Sequence, residues 1–284
     1  MLFNQIAIIG LGLIGGSLAQ VAKKKNLCRL VTAFGRDGKR LKEAQQRGIV
    51  DDYRIGFTDG FGEVDLVVIA TPVGSIVELA RVIAPHLNDG TIITDVGSVK
   101  AAIVTALEKN LPHRVHFIGG HPIAGTENSG FEASFAELFE NRICVLTPTP
   151  ASDRTALARV KDLWVAAGSS VVSMDVDTHD KIFAAISHLP HMVAFSLVNA
   201  IVDMKDYARE TLQYSAGGFK DFTRIAASDP IMWRDIALMN RDNLLRTMDF
   251  FSRSIAELQH AIQTSDGKKM QAFFQRAQDA RRKI

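Results

Sequence analysis

The chain has 284 residues, with 33 Lys and Arg against 31 Asp and Glu, a net charge of +2, 47% hydrophobic residues and 23% charged ones. That length accommodates two domains with a sizeable core. The balance excludes a disordered chain and gives no electrostatic reason to expect nucleic acid or an anionic membrane as a partner. Cys28 and Cys144 form no metal-type pair, which suggests a reducing compartment without a disulfide framework.

The first 22 residues carry no charged side chain. A signal peptide needs a basic segment before its apolar run, and a bilayer span needs about 18 or more apolar residues. Residues 6–16 supply 11 without a polar side chain, and four of those are glycine. A strand at 6–9 followed by a glycine turn explains the stretch, and a cytoplasmic location is expected.

That turn reads Gly10-Leu11-Gly12-Leu13-Ile14-Gly15 and opens a helix over 13–25. A G-x-G-x-x-G between strand and helix is the setting of a dinucleotide site. Gly10 permits the tight turn, Gly12 lets the backbone approach a pyrophosphate, and Gly15 lets helix pack on strand. The free N–H groups at Leu13 and Ile14 then face the phosphates. The next strand, 30–34, ends at Gly35 and Arg36. NAD sites place an Asp or Glu near this point for the ribose hydroxyls. Its absence, beside an arginine, favours the 2′-phosphate of NADP or tolerance of both cofactors; alternatively Arg36 stacks on adenine or sits in solvent.

Helix 38–47, strand 66–70, helix 74–86, strand 91–94, helix 99–110, strand 116–118, strand 143–146 and helix 154–167 follow. The strands are apolar throughout, as strands buried on both faces must be. The alternation predicts a parallel sheet with helices on both sides, a Rossmann-type α/β domain. Ligands in such sheets bind outside the carboxyl ends of the strands. Three segments fall there: Thr71-Pro72-Val73, Asp95-Val96-Gly97-Ser98-Val99-Lys100, and Gly119-Gly120-His121-Pro122-Ile123-Ala124-Gly125-Thr126-Glu127, the last read as a loop.

Strand signals stop after about Met174, and long helical stripes over 182–201, 230–261 and 268–283 replace them. The expected division is 1–175, a dinucleotide-binding domain, and 176–284, an all-α substrate and dimerisation domain. Residues 192–202 are apolar nearly all round, which predicts burial on several sides and makes a homodimer attractive. This half also holds Ser187-His188-Leu189-Pro190-His191 and Gly217-Gly218-Phe219-Lys220-Asp221-Phe222-Thr223-Arg224. His188 and His191 share a helical face, but no third ligand is spaced to make a metal site with them. Trp233 is assigned to the core.

Taken in order, G-L-G-L-I-G-G-S, D-V-G-S-V-K, G-G-H-P-I-A-G-T-E, S-H-L-P-H and G-G-F-K-D-F-T-R-I-A resemble the prephenate/arogenate dehydrogenase family of tyrosine biosynthesis. The resemblance spans nearly the whole chain. It implies NAD(P)-dependent oxidative decarboxylation: a hydride leaves the ring carbon bearing the hydroxyl, carbon dioxide leaves the opposite carbon, and the ring becomes aromatic. It implies that His121 is the catalytic histidine and that Ser98 bonds the same hydroxyl or that histidine. It implies that Arg224 holds a substrate carboxylate, that His191 lines the pocket, and that Thr126 and Glu127 stand at its mouth. No metal is implied. Two other readings remain: a dehydrogenase of the β-hydroxyacid type, whose G-x-x-x-K catalytic lysine is lacking at the expected place, and a dinucleotide sensor without turnover, which need not keep His121, Ser98 and Arg224 together.

Overall fold

The computed structural model describes residues 1–126, 130–204 and 213–283. The first part runs β1 (Phe3–Ile9), α1 (Leu13–Lys24), β2 (Cys28–Gly35), α2 (Gly38–Gln46), β3 (Asp52–Ile55), β4 (Leu66–Ile69), α3 (Val73–Ile83), β5 (Ile92–Asp95), α4 (Ala101–Asn110), β6 (His116–Pro122), β7 (Ile143–Thr147), α5 (Arg154–Ala167) and β8 (Ser170–Ser173). The strands form one sheet in the order β3-β2-β1-β4-β5-β6-β7-β8. All neighbours are parallel except β6 and β7. The order reverses direction at β1, between β2 and β4, the position where such sheets open a crevice for a ligand.

Alternation within the strands builds a core on each face. Ile6 and Ile8 of β1 join Leu66 and Val68 of β4 under Leu18, Val21, Leu163 and Trp164 of α1 and α5. Ala7 and Ile9 join Val67 and Ile69 on the other face, under Ile76, Ala80, Ile103 and Leu107 of α3 and α4. Period-2 alternation between two apolar faces is why these strands read as unbroken apolar runs.

The edge strands β3 and β8 escape that reading. Asp52-Tyr53-Arg54-Ile55 and Ser170-Val171-Val172-Ser173 are mostly exposed or half-buried, so neither carries an apolar run. The strand expected at 116–118 continues to Pro122, because Gly119, Gly120, His121 and Pro122 pair antiparallel with Thr147, Leu146, Val145 and Cys144.

The second part contains α6 (Val176–Phe183), a π-helical turn (Ala184–His188), α7 (Leu189–Val202), α8 (Gly217–Thr223), a 3₁₀ turn (Arg224–Ala227), α9 (Pro230–Met239), α10 (Arg241–Gln263) and α11 (Gly267–Arg281). Pro190 explains the π turn. It has no N–H for the carbonyl four residues back, and its ring crowds that carbonyl, so the helix widens just before it. The stripe expected over 230–261 is two helices, divided at Asn240, whose side chain turns inward to bond. In a single chain α7 buries only Ala194, short of the several-sided burial expected for 192–202. Leu245, Met248, Phe251 and Ile255 of α10 are likewise exposed, at spacings that put them on one helical face. The run Val176–Val202 is long and apolar enough to cross a membrane by length and composition alone. It also carries His179, Asp180 and His188, which are buried and hydrogen-bonded within the fold.

Candidate active site

The glycine turn fits a dinucleotide. Gly10 has φ +95°, and a Cβ there would meet the Ala70 carbonyl at 2.6 Å. A Cβ on Gly15 would meet the Gly10 carbonyl at 2.2 Å. These two glycines bring β1, β4 and α1 together. Gly12 differs: among the described residues nothing lies within 4 Å of where its Cβ would stand. As the N-cap of α1 it provides no side-chain cap, and the first turn holds no acidic residue. The N–H groups at Leu13 and Ile14 belong to the first turn, which has no intrahelical acceptor for them, at the positive end of the helix. Thr71 and Pro72 follow β4 directly beside this turn, with Thr71 Oγ1 accepting a 2.8 Å bond from Ser75.

Gly35 ends β2 on the other side of β1, and Arg36 is exposed beside it. The nearby Asp37 is engaged as the N-cap of α2, accepting from the backbone of Lys39 at 3.0 Å and Arg40 at 3.2 Å.

At the end of β5, Asp95 gathers the loop that carries Ser98. One oxygen accepts the Gly97 N–H at 2.8 Å and pairs with the Lys100 ammonium; the other accepts the Gly120 N–H at 3.2 Å. Asp95 and Lys100 are both fully buried. Burial lowers the Lys100 pKa, and Asp95 and Asp180 oppose it. This one carboxylate ties the Ser98 loop to the backbone just before His121.

His121 lies in β6, not in a loop as the sequence suggested, and is 8% exposed. Its Nδ1 is 2.9 Å from Nε2 of His179, whose Nδ1 is 2.8 Å from Asp180 Oδ1. Phe183 packs edge-on against His121 at 4.7 Å. Burial first, then His179, Lys100 and His188, hold His121 well below the ordinary histidine pKa. That direction favours the neutral imidazole, the form whose free lone pair can accept a proton.

His188 is buried in the widened turn, with Nδ1 at 3.2 Å from the Asn240 amide. That amide also donates to the Asp180 carbonyl at 2.8 Å. Burial pushes His188 down to about 4, with Asp180 and the Ser98 backbone pulling the other way. His191 donates from Nδ1 to the Ser187 carbonyl at 2.9 Å and stacks on Trp233 at 3.7 Å. Its pKa is lowered by burial and by Arg224, which begins the 3₁₀ turn packed against α7. Trp233 is buried, as expected of a core residue, and also stacks on His191. Thr126 is exposed. Glu127 lies outside the described residues.

Sequence reasoning missed His179 and Asp180. No motif marks them. The available signal was a His-Asp pair on the apolar side of α6, among residues buried with Phe183.

Three buried histidines with lowered pKa values make acid destabilising. The unfolded chain takes up protons there below about pH 6.5 while the folded chain does not, so stability falls as pH falls. His188 alone should remove roughly 2 kcal/mol between about pH 7.5 and 5, or about 3–4 °C of melting temperature in a protein of this size. Melting curves across that interval test this; a flat melting temperature would contradict neutral burial.

Comparison with known proteins is consistent with this architecture. Residues 18–173 match the family model of the prephenate dehydrogenase nucleotide-binding domain, and residues 175–276 match that of the prephenate dehydrogenase dimerization domain. A cyclohexadienyl dehydrogenase of Zymomonas mobilis is 37% identical over 98% of this chain and 95% of its own. A prephenate dehydrogenase of Bacillus subtilis is 36% identical over 98% of this chain and 75% of its own. The crystal structure of a prephenate dehydrogenase from Aquifex aeolicus, in complex with hydroxyphenyl propionate and NAD+, superposes with a TM-score of 0.93 at 35% identity, covering 99% of this chain and 98% of that one. With both halves matched by the family models and relatives of this identity spanning almost all of it, the chain belongs to the prephenate dehydrogenase family.

Proposed function

We infer that this chain catalyses the NAD(P)-dependent oxidative decarboxylation of prephenate, arogenate or both, with His121 as the base that takes up the hydroxyl proton. The observation that carries the role of His121 is geometric: a buried histidine at the sheet edge that also holds the glycine cradle, with Nδ1 engaged by His179 and Nε2 left over. When bound, the oxidised nicotinamide supplies the hydride acceptor. The side chains then have three tasks: orientation, proton handling and charge recognition.

His121 Nδ1 is engaged by His179, so Nε2 is the nitrogen left for the substrate hydroxyl. Ser98, in the loop that Asp95 ties to the backbone before His121, supplies a second hydrogen bond to that hydroxyl. Arg224 holds a carboxylate through its planar fork. His191, backed by Trp233, offers a flat wall to the ring. Thr126 and Glu127 belong to the mouth. Aromatisation drives loss of carbon dioxide, so no separate decarboxylation catalyst is required.

The cofactor cradle comprises Gly10, Gly12, Leu13, Ile14, Gly15, Thr71 and Pro72, with Gly35 and Arg36 at the adenosine end. Asp37 caps α2 through Oδ1, and with Gly35 rather than a carboxylate ending β2, Arg36 beside it favours NADP. Gly35→Asp is expected to shift the ratio of kcat/KM values towards NAD; an unmoved ratio would mean that the end of β2 does not read the ribose.

The chain divides at 175/176, and residues 176–284 pair two copies into a homodimer. The match to a dimerization domain supports this. So do the exposed apolar side chains of α10. The setting is cytoplasmic. Turnover with prephenate and with arogenate, each with NAD and NADP, tests the assignment; no turnover in any of the four combinations would overturn it.

A further inference from the structure

We propose that His179 and Asp180 are positioning residues for His121: they hold its proton on Nδ1, leave Nε2 bare for the substrate hydroxyl, and steady the charge while that hydroxyl proton is borrowed. The proposal rests on the reading of His121 as the base.

The direction of each hydrogen bond follows from backbone amides that can only donate. Asp180 Oδ1 accepts the Lys100 N–H at 2.8 Å, and Oδ2 accepts the Ala101 N–H at 3.0 Å. Asp180 thus caps α4 from a distant element. The Lys100 side chain, at the N-cap, provides no cap, and the first turn holds no acidic residue. A carboxylate there is favoured by the helix dipole. Its oxygens are therefore acceptors, and His179 Nδ1, at 2.8 Å from Oδ1, is the donor. A neutral His179 then has a lone pair on Nε2. His121 Nδ1 lies 2.9 Å from that lone pair, so it carries the proton and donates. The remaining nitrogen, Nε2 of His121, is bare. Which nitrogen of a histidine is protonated is set by the bond that the other one makes.

Burial and packing keep this order. His179 is 0% exposed and Asp180 1%. The two histidine rings meet edge-on at 5.1 Å, and Phe183 packs against both, at 4.7 and 4.5 Å. The other titratable groups facing the pair are Lys100 with its partner Asp95, and His188; Cys144 opposes Pro122 on the neighbouring strand.

The proton balance suits a holding device. As the hydride leaves the ring carbon, the hydroxyl proton passes to His121 Nε2 and a C=O bond forms. As the opposite carboxylate leaves as carbon dioxide, its bonding pair completes the aromatic ring. The oxygen then takes the proton back as a phenol. No net proton is released to the relay, so His179 and Asp180 need to stabilise an imidazolium and need no exit path.

The test joins a spectroscopic readout to two variants of the full chain with oxidised cofactor present. Nitrogen-15 NMR of the imidazole rings should show His121 protonated at Nδ1 with Nε2 bare. His179→Leu removes the acceptor. It should lower kcat at least about tenfold, short of the loss of about 10²–10⁴ expected on removing the general base itself, while KM stays within about threefold. His179→Gln keeps one acceptor and one donor, and should retain Nδ1–H on His121 and recover most of kcat. Nε2-protonated His121 in the unsubstituted protein would overturn the proposal, and that measurement stands even if His179→Leu does not fold. A folded His179→Leu protein with unchanged kcat would also overturn it, as would equal impairment of both variants with the His121 tautomer unmoved. His121→Asn at full rate would instead remove the base assignment, and the NMR result separates the two failures.

Discussion

His121→Asn is expected to lower kcat by about 10²–10⁴-fold, the range that a positioned general base contributes, with cofactor affinity nearly unchanged. Asparagine still presents an N–H towards His179 Nε2, so the buried acceptor need not lose its partner, and the strand register with Val145 does not depend on the ring. What disappears is the second nitrogen, the one left for the substrate. The glycine cradle is made by β1, β4 and α1, none of which supplies a partner to the His121 ring. Steady-state kinetics beside a direct cofactor titration separates these effects. An unchanged rate would remove His121 as the base.

Arg224→Ala is expected to act on binding. Losing a charged hydrogen bond to a substrate carboxylate costs roughly 2–5 kcal/mol, or about 30- to 5,000-fold in affinity. The effect should appear chiefly in KM, because the carboxylate is present in both ground and transition states. The near-neutral chain, at +2, offers little long-range attraction to a dianionic substrate, which concentrates recognition in a few placed cations. Arg224 also bears on His191, whose pKa it helps to lower, so the same substitution should let His191 titrate nearer its ordinary value. Unaltered KM for prephenate and arogenate would mean that Arg224 does not hold the carboxylate.

The central strands were legible because burial on both faces leaves a continuous apolar run, as in Leu66-Val67-Val68-Ile69. The glycine turn was legible because its steric demands are local: Gly10 needs a positive φ and Gly15 a close approach. The edge strands were not, since an edge strand with polar ends such as Ser170–Ser173 carries no such run. Glycine before His121 suggested a loop, but both glycines are required inside the strand. A Cβ on Gly119 would meet Thr147 Oγ1 at 2.5 Å, and one on Gly120 the Asp95 carbonyl at 2.8 Å. They are there to let neighbouring strands approach.

The site was half legible. His121, Ser98, His191 and Arg224 sit in motifs, and the fold packs the turn that begins with Arg224 against α7, the helix that carries His191. The partner of His121 was not legible, because it depends on a tertiary contact across 58 positions and on a helix cap supplied from another element. Asn240 is a similar case. Its side chain interrupts a helical stripe in order to bond the Asp180 carbonyl and His188, and nothing in the local pattern of 230–261 announces that.

The central claim is that one site couples hydride loss to decarboxylation. Reduced cofactor and released carbon dioxide can be followed together from the first turnover, with prephenate or arogenate as substrate. The account predicts equal molar amounts of the two throughout. Cofactor reduction without carbon dioxide, as from a dehydrogenase that merely oxidises an alcohol, would contradict it.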